Sequence, residues 1–332
     1  MRPLHQQTIV ITGASSGIGR CAALHLAARG ARVVAFARGA DALESLVHEI
    51  REVGGEALAV AGDVSDPAEV DRLAEAAVAR YGRIDTWVNN ASVFIQGNVW
   101  DLEADELKQV VEVNLLGAMY GSRRAALQMR DQEPAEGVII QVSSIVGERG
   151  PAYFSPYAAS KRGLTGFTES LRTELWGTGI KVATLYLPSM DTPIYQHARS
   201  KFGTTPHPAP PVYDPERAAE AIAELAVKPE VRRDIGWFHW AYTAPHRVSP
   251  ALGDWFLHRA RGFTLSDQPA GADNVDDHTS YLGTAVRGGW GREGWRGYTV
   301  QKVVRSMPAE SLIGAAAAGF LVASLLPARR TD

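Results

Sequence analysis

The chain has 332 residues, 45% hydrophobic and 21% charged, with a formal net charge of -3. That length holds one large α/β domain plus an appendage, and the near-neutral charge without a basic run gives no reason to expect nucleic acid. The single cysteine, Cys21, excludes an internal disulfide and a cysteine-based zinc site, so no metal is expected and a reducing compartment fits. Residues 1–7 are polar and lead straight into an apolar run, which leaves no room there for the apolar core of a signal peptide. A cytoplasmic catalytic domain is therefore expected.

In chain order, a β-branched strand is predicted at 8–11, then a glycine-rich turn at 12–19, then an alanine-rich helix at 20–28. Further strands are predicted at 31–37, 57–61, 86–89, 138–142 and 182–187, with helices at 67–80, 104–129 and from Tyr157 to about Leu175. Strands alternating with helices of this length imply right-handed crossovers, and hence a doubly wound α/β fold with a parallel sheet covered on both faces. Ligands of such sheets bind at the carboxyl ends of the strands, where the glycine turn falls. Gly13 permits a tight turn, Gly17 lets backbone approach a pyrophosphate, and Gly19 lets the helix pack close to the strand. The helix start adds unpaired N–H groups and the positive end of its dipole.

The spacing Gly13-x3-Gly17-x-Gly19 differs from the G-x-G-x-x-G of other dinucleotide loops. With the motifs that follow, it resembles the short-chain dehydrogenase/reductase superfamily in its non-extended form, over about residues 5–230. Asp63-Val64 is similar to the adenine-contacting pair after the third strand. Asn89-Asn90-Ala91-Ser92 resembles N-N-A-G with serine last. Asn114, Ser143-Ser144 and Tyr157-x3-Lys161 follow in the family's order. The resemblance implies that Gly13, Ser15, Ser16, Gly17, Ile18, Gly19, Asp63, Val64, Asn90, Ala91 and Thr192 hold a nicotinamide dinucleotide together with Tyr157 and Lys161. It also implies Asn114, Ser144, Tyr157 and Lys161 as the catalytic set.

The residue types suit that chemistry. Tyr157 and Lys161 are four apart and so share one helix face. A tyrosine near its ordinary pKa of ~10 is a poor acid or base at neutral pH, and a neighbouring ammonium and the positive ring of oxidised nicotinamide are both expected to lower it. Tyr157 would then serve as general acid in reduction and general base in oxidation, with Ser144 polarising the carbonyl. Asn114 lies in an apolar helical run, and the resemblance implies that it holds a water linking Lys161 to solvent. After the second strand, where NAD-preferring sheets carry a carboxylate, this chain has Ala37-Arg38. The guanidinium of Arg38 matches a 2′-phosphate, so NADP(H) is the expected cofactor. The expected partner is a small carbonyl or alcohol substrate, handled by a homo-oligomer. A cofactor-binding regulatory module without turnover is the alternative. The complete catalytic set argues against it, as the glycine spacing argues against an epimerase or dehydratase of the extended type.

Two departures from the family pattern stand near the site. Ser189 follows Pro188 where glycine is usual beside the nicotinamide, and Ser92 is expected to tighten the wall beneath the adenosine. Seven prolines fall between Pro188 and Pro215, and residues 189–215 are expected to form a substrate lid to which Tyr195, His197, Phe202 and Tyr213 contribute. The catalytic domain is expected to end near residue 234. Residues 235–308 are read as an appendage in which Trp237, Trp240, Trp255 and Phe256 pack on the core or cover the pocket mouth, with a linker at 267–278. Residues 311–328 are an uncharged run that would reach roughly 27 Å as a helix, close to the ~30 Å of a bilayer core. With Arg329-Arg330 behind it, a membrane contact through a 309–328 tail helix is expected, an interface helix being the other reading.

Overall fold

A computed structural model of the chain describes residues 1–265 and 283–290. By compactness the chain divides after Gly289, and Met1–Gly289 forms the first unit. The elements of the first are β1 (Thr8–Thr12), α1 (Gly17–Ala27), β2 (Arg32–Ala37), α2 (Ala40–Glu52), β3 (Glu56–Ala61), α3 (Pro67–Tyr81) and β4 (Thr86–Asn89). Then come β5 (Ile95–Gln96), α4 (Ala104–Val111), α5 (Gly117–Asp131), β6 (Glu136–Ser144), α6 (Ser155–Glu174) and β7 (Gly179–Leu187). The last are α7 (Ile194–His197), β8 (Arg199–Ser200), α8 (Pro215–Val227), β9 (Arg232–Asp234), α9 (Phe238–Val248) and α10 (Pro250–Ala260).

The main sheet runs β3-β2-β1-β4-β6-β7-β9 with every pair parallel. It is the doubly wound Rossmann sheet expected from the sequence. Alternate side chains of each strand point to opposite faces. Ile9, Ile11, Val33 and Ala35 accordingly pack with α1, α2 and α8, and Val10, Val34 and Phe36 pack with α3, α5 and α6. The chain leaves β1 for β2 on one side and returns for β4 on the other, which opens a crevice at the carboxyl ends of these strands. Helix starts are fixed locally. Asp66 accepts from Ala68 N–H at 2.8 Å ahead of Pro67, and Gly82, at φ 81°, ends α3 in the left-handed conformation. Asp214 caps α8 in the same way, ahead of Pro215.

Strand β9 was not expected, because Arg232-Arg233-Asp234 carries no apolar run. It pairs with Thr184–Tyr186 of β7, and Arg232 reaches Asp234 at 2.7 Å and Glu148 as well. Among the described residues no helix is long and apolar enough to cross a membrane. The expected tail at 309–328 and the linker at 267–278 lie outside the described residues.

Candidate active site

The glycine turn is shaped by β4 rather than by itself. Thr12 Oγ1 accepts the N–H groups of Asn90 at 3.0 Å and Ala91 at 3.1 Å, while Asn90 Nδ2 donates to the carbonyls of Thr12 at 2.9 Å and Gly13 at 3.2 Å. Gly13 has φ 67° and Gly17 φ 52°, conformations that favour glycine. A Cβ on Gly13 would lie 2.8 Å from Ala91 Cα, and one on Gly19 only 2.2 Å from Gly13 O. Asn90 and Ala91 thus act on the loop, holding it open for a ligand. Ser16 is the N-cap of α1, yet its side chain makes no cap hydrogen bond, which leaves first-turn N–H groups for an anion. Ser15 and Ile18 flank this turn. Across the crevice, buried Thr192 comes within 3.5 Å of where a Gly17 Cβ would stand.

Arg38 is exposed just beyond the carboxyl end of β2. Asp63 follows β3, and its Oδ1 accepts from Ser65 N–H at 2.9 Å and Ser65 Oγ at 2.8 Å. Val64 packs over Gly117, whose Cβ would meet it at 2.9 Å. A clamped acid and an apolar side chain near the carboxyl ends of the strands suit the amino edge and the ring face of an adenine. The buried Ser143 Oγ has no hydrogen-bond partner. An orphaned hydroxyl at a strand's carboxyl end fits a site that a polar cofactor completes. Together with the glycine cradle, these residues fit a nicotinamide dinucleotide.

Ser144 ends β6. Its Oγ accepts from Val146 N–H at 3.2 Å and lies 3.4 Å from Leu187 O. Tyr157 stands in the first turn of α6, launched by a turn in which Tyr153 adopts φ 74°, a costly conformation for a non-glycine residue. Lys161 is buried, its Nζ donates to Val142 O at 3.0 Å, and it lies 5.7 Å from the Tyr157 ring centre. Burial pushes Tyr157 up to about 12, opposed by the hydroxyls of Ser92 and Ser144, and burial draws Lys161 down to about 8. In the chain by itself burial is the dominant influence on Tyr157, and Lys161 Nζ is engaged with Val142 O rather than with the phenol; the lowering expected from Lys161 together with oxidised nicotinamide concerns the loaded site.

Ser92 is therefore not beneath the adenosine. Its hydroxyl stands at Tyr157 and donates to Asn114 Oδ1 at 3.1 Å. Asn114, buried to 1% exposure, also accepts from Val93 N–H at 2.8 Å and donates to Val93 O at 2.8 Å and Ser160 Oγ at 3.2 Å. It sits in a π turn, Glu112–Leu116, that interrupts the α4–α5 run, a distortion common at functional sites. Sequence reasoning missed the role of Ser92. A serine in place of the motif's last glycine was the visible signal, placed at the wrong depth.

Around Tyr157 stands an aromatic wall. Phe94 stacks on Phe154 at 5.3 Å and meets Tyr157 at 5.9 Å and Tyr195 at 5.6 Å, while Tyr153 meets Phe202 at 4.8 Å. Ser189 hydrogen-bonds the Tyr195 side chain, so the second departure also serves this wall. The segment after β7 is held by a short parallel pairing of β5 with β8. Tyr213 does not join the wall. It packs against the main core and Arg217, and a Cβ on Gly236 would strike its hydroxyl at 2.5 Å.

The four aromatics expected to dock or to cover the pocket are at the surface: Trp237, Trp240, Trp255 and Phe256 are 70%, 65%, 45% and 41% exposed. Docking runs instead through buried His239 and Thr243 of α9, spaced i, i+4 on one face, and through Gly253 and Leu257 of α10. His239 pairs with Glu148 at 3.1 Å and Asp234 at 3.2 Å, and Tyr242 Oη donates to Arg149 O at 2.7 Å.

A fold of this topology, with a glycine-rich dinucleotide cradle and a Ser-Tyr-Lys cluster at its carboxyl edge, belongs to an oxidoreductase architecture. A model of the short chain dehydrogenase family matches residues 7–202. The uncharacterized oxidoreductase YxnA of Bacillus subtilis is 40% identical over 262 residues, 78% of this chain and 73% of that protein. A monensin polyketide synthase putative ketoacyl reductase of Streptomyces virginiae is 39% identical over 247 residues, 74% of this chain and 87% of the other. Among solved structures, a short-chain dehydrogenase/reductase from Burkholderia phymatum in complex with NAD is 26% identical with a TM-score of 0.67, covering 78% of this chain and 97% of that one. A metagenomic short-chain oxidoreductase in complex with NADP is 30% identical with a TM-score of 0.58, covering 69% and 96%. The chain belongs to the short-chain dehydrogenase/reductase superfamily.

Proposed function

We propose that the chain is an NADP(H)-dependent carbonyl reductase or alcohol dehydrogenase, with Asn114, Ser144, Tyr157 and Lys161 as its catalytic set. The observation that carries this reading is the convergence of the Tyr157 phenol, the Ser144 hydroxyl and the Lys161 ammonium beside the Gly13–Gly19 cradle. When bound, the nicotinamide supplies or accepts the hydride, and its oxidised ring carries a positive charge.

Ser144 donates to the carbonyl oxygen and stabilises charge developing there. With its pKa held up at about 12 by burial, Tyr157 is protonated at neutral pH and can donate to the same oxygen during reduction. Lys161 keeps a positive charge up to about pH 8 behind the phenol and would reach the cofactor's ribose. Asn114 fixes Ser92 and Ser160 around Tyr157. Asn114 is proposed also to hold a water that links Lys161 to solvent, beside the neighbours its side-chain amide engages. Arg38 takes the 2′-phosphate, Asp63 and Val64 the adenine, and Ser15, Ser16, Gly17, Ile18 and Thr192 the phosphates and nicotinamide end. The aromatic wall of Phe94, Phe154 and Tyr195 suits a carbonyl borne on an apolar body. Such a domain is proposed to be cytoplasmic and homo-oligomeric, with residues 309–328 as its membrane contact.

The test is to supply NADPH and NADH separately with ketones, aldehydes, steroids and polyols, following nicotinamide absorbance. Turnover of an apolar ketone with NADPH is the expected result. Tight dinucleotide binding with no turnover across the panel would make the chain a cofactor-binding module instead.

A further inference from the structure

We propose that residues 285–288 are a part of the cofactor site, a strap that ties the glycine loop to the segment after β7 and slows release of the dinucleotide. The inference rests on the dinucleotide reading above. The N–H of Gly17, the first residue of α1, donates to Ala285 O at 2.9 Å. Three residues on, Gly288 N–H donates to Asp191 Oδ1 at 3.1 Å, and Gln196 Nε2 donates to Gly288 O. Asp191 immediately precedes Thr192, which faces Gly17 across the crevice. The strap thus joins the two lips between which the phosphates and nicotinamide would be held.

Its middle is anchored on both sides of the chain. Val286 packs against the main core. Arg287 forks onto Asp214, with contacts of 2.9 and 3.1 Å, and reaches Glu216 at 3.1 Å. Both carboxylates stand at the start of α8, which packs along α1. Their field reaches into α1: burial first, then Glu216 and Asp214, push the Cys21 thiol up to about 11, and Arg287 opposes them. Arg287 therefore offsets part of the negative charge that Asp214 and Glu216 place near α1, whose start is proposed to receive phosphates. The strap consumes the Gly17 donor alone. An α-helix leaves four N–H groups unpartnered at its start, so later donors stay available to a phosphate. That geometry makes the segment a clasp rather than a plug.

The test compares the full-length wild type with two variants, Arg287→Ala and Arg287→Lys. NADPH release is followed by stopped-flow fluorescence, and amide exchange is measured over residues 13–19 and 283–290 with and without NADPH. Arg287 is half exposed, so folding should survive its replacement. Release from Arg287→Ala should be about 10-fold faster with correspondingly weaker binding, and Arg287→Lys, which keeps the charge and loses the fork, should lie between. NADPH should increase protection of 285–288 in the wild type. Unchanged release in both variants would overturn the strap while leaving the dinucleotide reading intact. Slower release from Arg287→Ala, with 285–288 losing protection on binding, would overturn it in favour of a plug. A wild type that binds neither NADPH nor NADH would overturn both readings.

Discussion

The wall of the crevice built from β1, β4 and β6 is held by buried and partly buried hydrogen bonds between chain segments far apart in sequence. Thr12 with Asn90 and Ala91, and Asn114 with Ser92, Val93 and Ser160, are examples. The wall built after β7 is held differently, by a two-residue strand pairing, by ion pairs around Glu148 and Asp214, and by the strap at 285–288. Buried bonds lose a partner at the full cost of desolvation, whereas exposed ion pairs such as Arg287–Asp214 contribute little apiece, and of the second wall's pairs only those around Glu148 are largely buried. The first wall is thereby suited to fix reacting groups, and the second to admit and release ligands.

The largest test of this contrast is on the first wall. Tyr157→Phe removes one hydroxyl and leaves the ring in its aromatic cluster, so folding and dinucleotide affinity should persist while turnover falls roughly 10²-fold or more. Near-native kcat on any good substrate would sink the assignment of proton transfer to Tyr157. Arg38→Ala comes next. Charge-assisted hydrogen bonds are worth roughly 1.5–3 kcal/mol, so NADP(H) binding should weaken by about 10- to 100-fold with NAD(H) nearly unchanged. Titrating both cofactors decides it, and equal losses would make Arg38 structural.

The same contrast explains what could be read in the sequence. Strand and helix periods, the glycine spacing and the order of motifs are local signals, and they located the sheet, the cradle and the Ser144, Tyr157 and Lys161 cluster. Ser92 was misplaced because a motif gives chain position and not depth; only the fold brings it to Asn114. The burial that raises Tyr157 in the chain by itself leaves no mark on the motif, because it is a property of the packed site. The tryptophans near the C-terminal end misled for a related reason. Composition marks them as apolar, but the docking face is chosen by the long-range partners of His239 and Tyr242, namely Glu148, Asp234 and Arg149. Residues 285–288 were not singled out, because their reach to Gly17 and Asp191 is made with main-chain atoms and the carboxylate partners of Arg287 lie some seventy positions away.

On the second wall, Glu148→Gln probes the ion-pair network. Burial favours protonation of this carboxyl, yet hydrogen bonds from His239 and Arg232 outweigh it and hold its pKa at about 2, below the ordinary 4.5. A carboxylate with a lowered folded pKa stabilises the fold above its ordinary value and loses that contribution as pH falls through the folded one. At neutral pH, Glu148→Gln should lower the melting temperature by about 2–4 °C. The gap from the wild type should close between pH 4.5 and about 2. A gap that persisted unchanged at pH 2 would mean that Glu148 acts through packing rather than charge.

The smallest effect is expected where composition alone would place a large one. Trp240 lies on α9 between the buried His239 and Thr243, yet it is 65% exposed. Full burial of a large side chain would make its truncation cost roughly 3–5 kcal/mol, whereas surface substitutions away from special features stay within about 0.5 kcal/mol. Trp240→Ser should therefore leave denaturant unfolding within that smaller range, with turnover and NADPH release at wild-type values. His239→Ala, by contrast, removes a buried partner of Glu148 and Asp234 and should destabilise the protein measurably. A loss of several kcal/mol in Trp240→Ser would show that the indole is covered in solution, and the docking face of α9 would then have to be redrawn around Trp240 instead of His239 and Thr243.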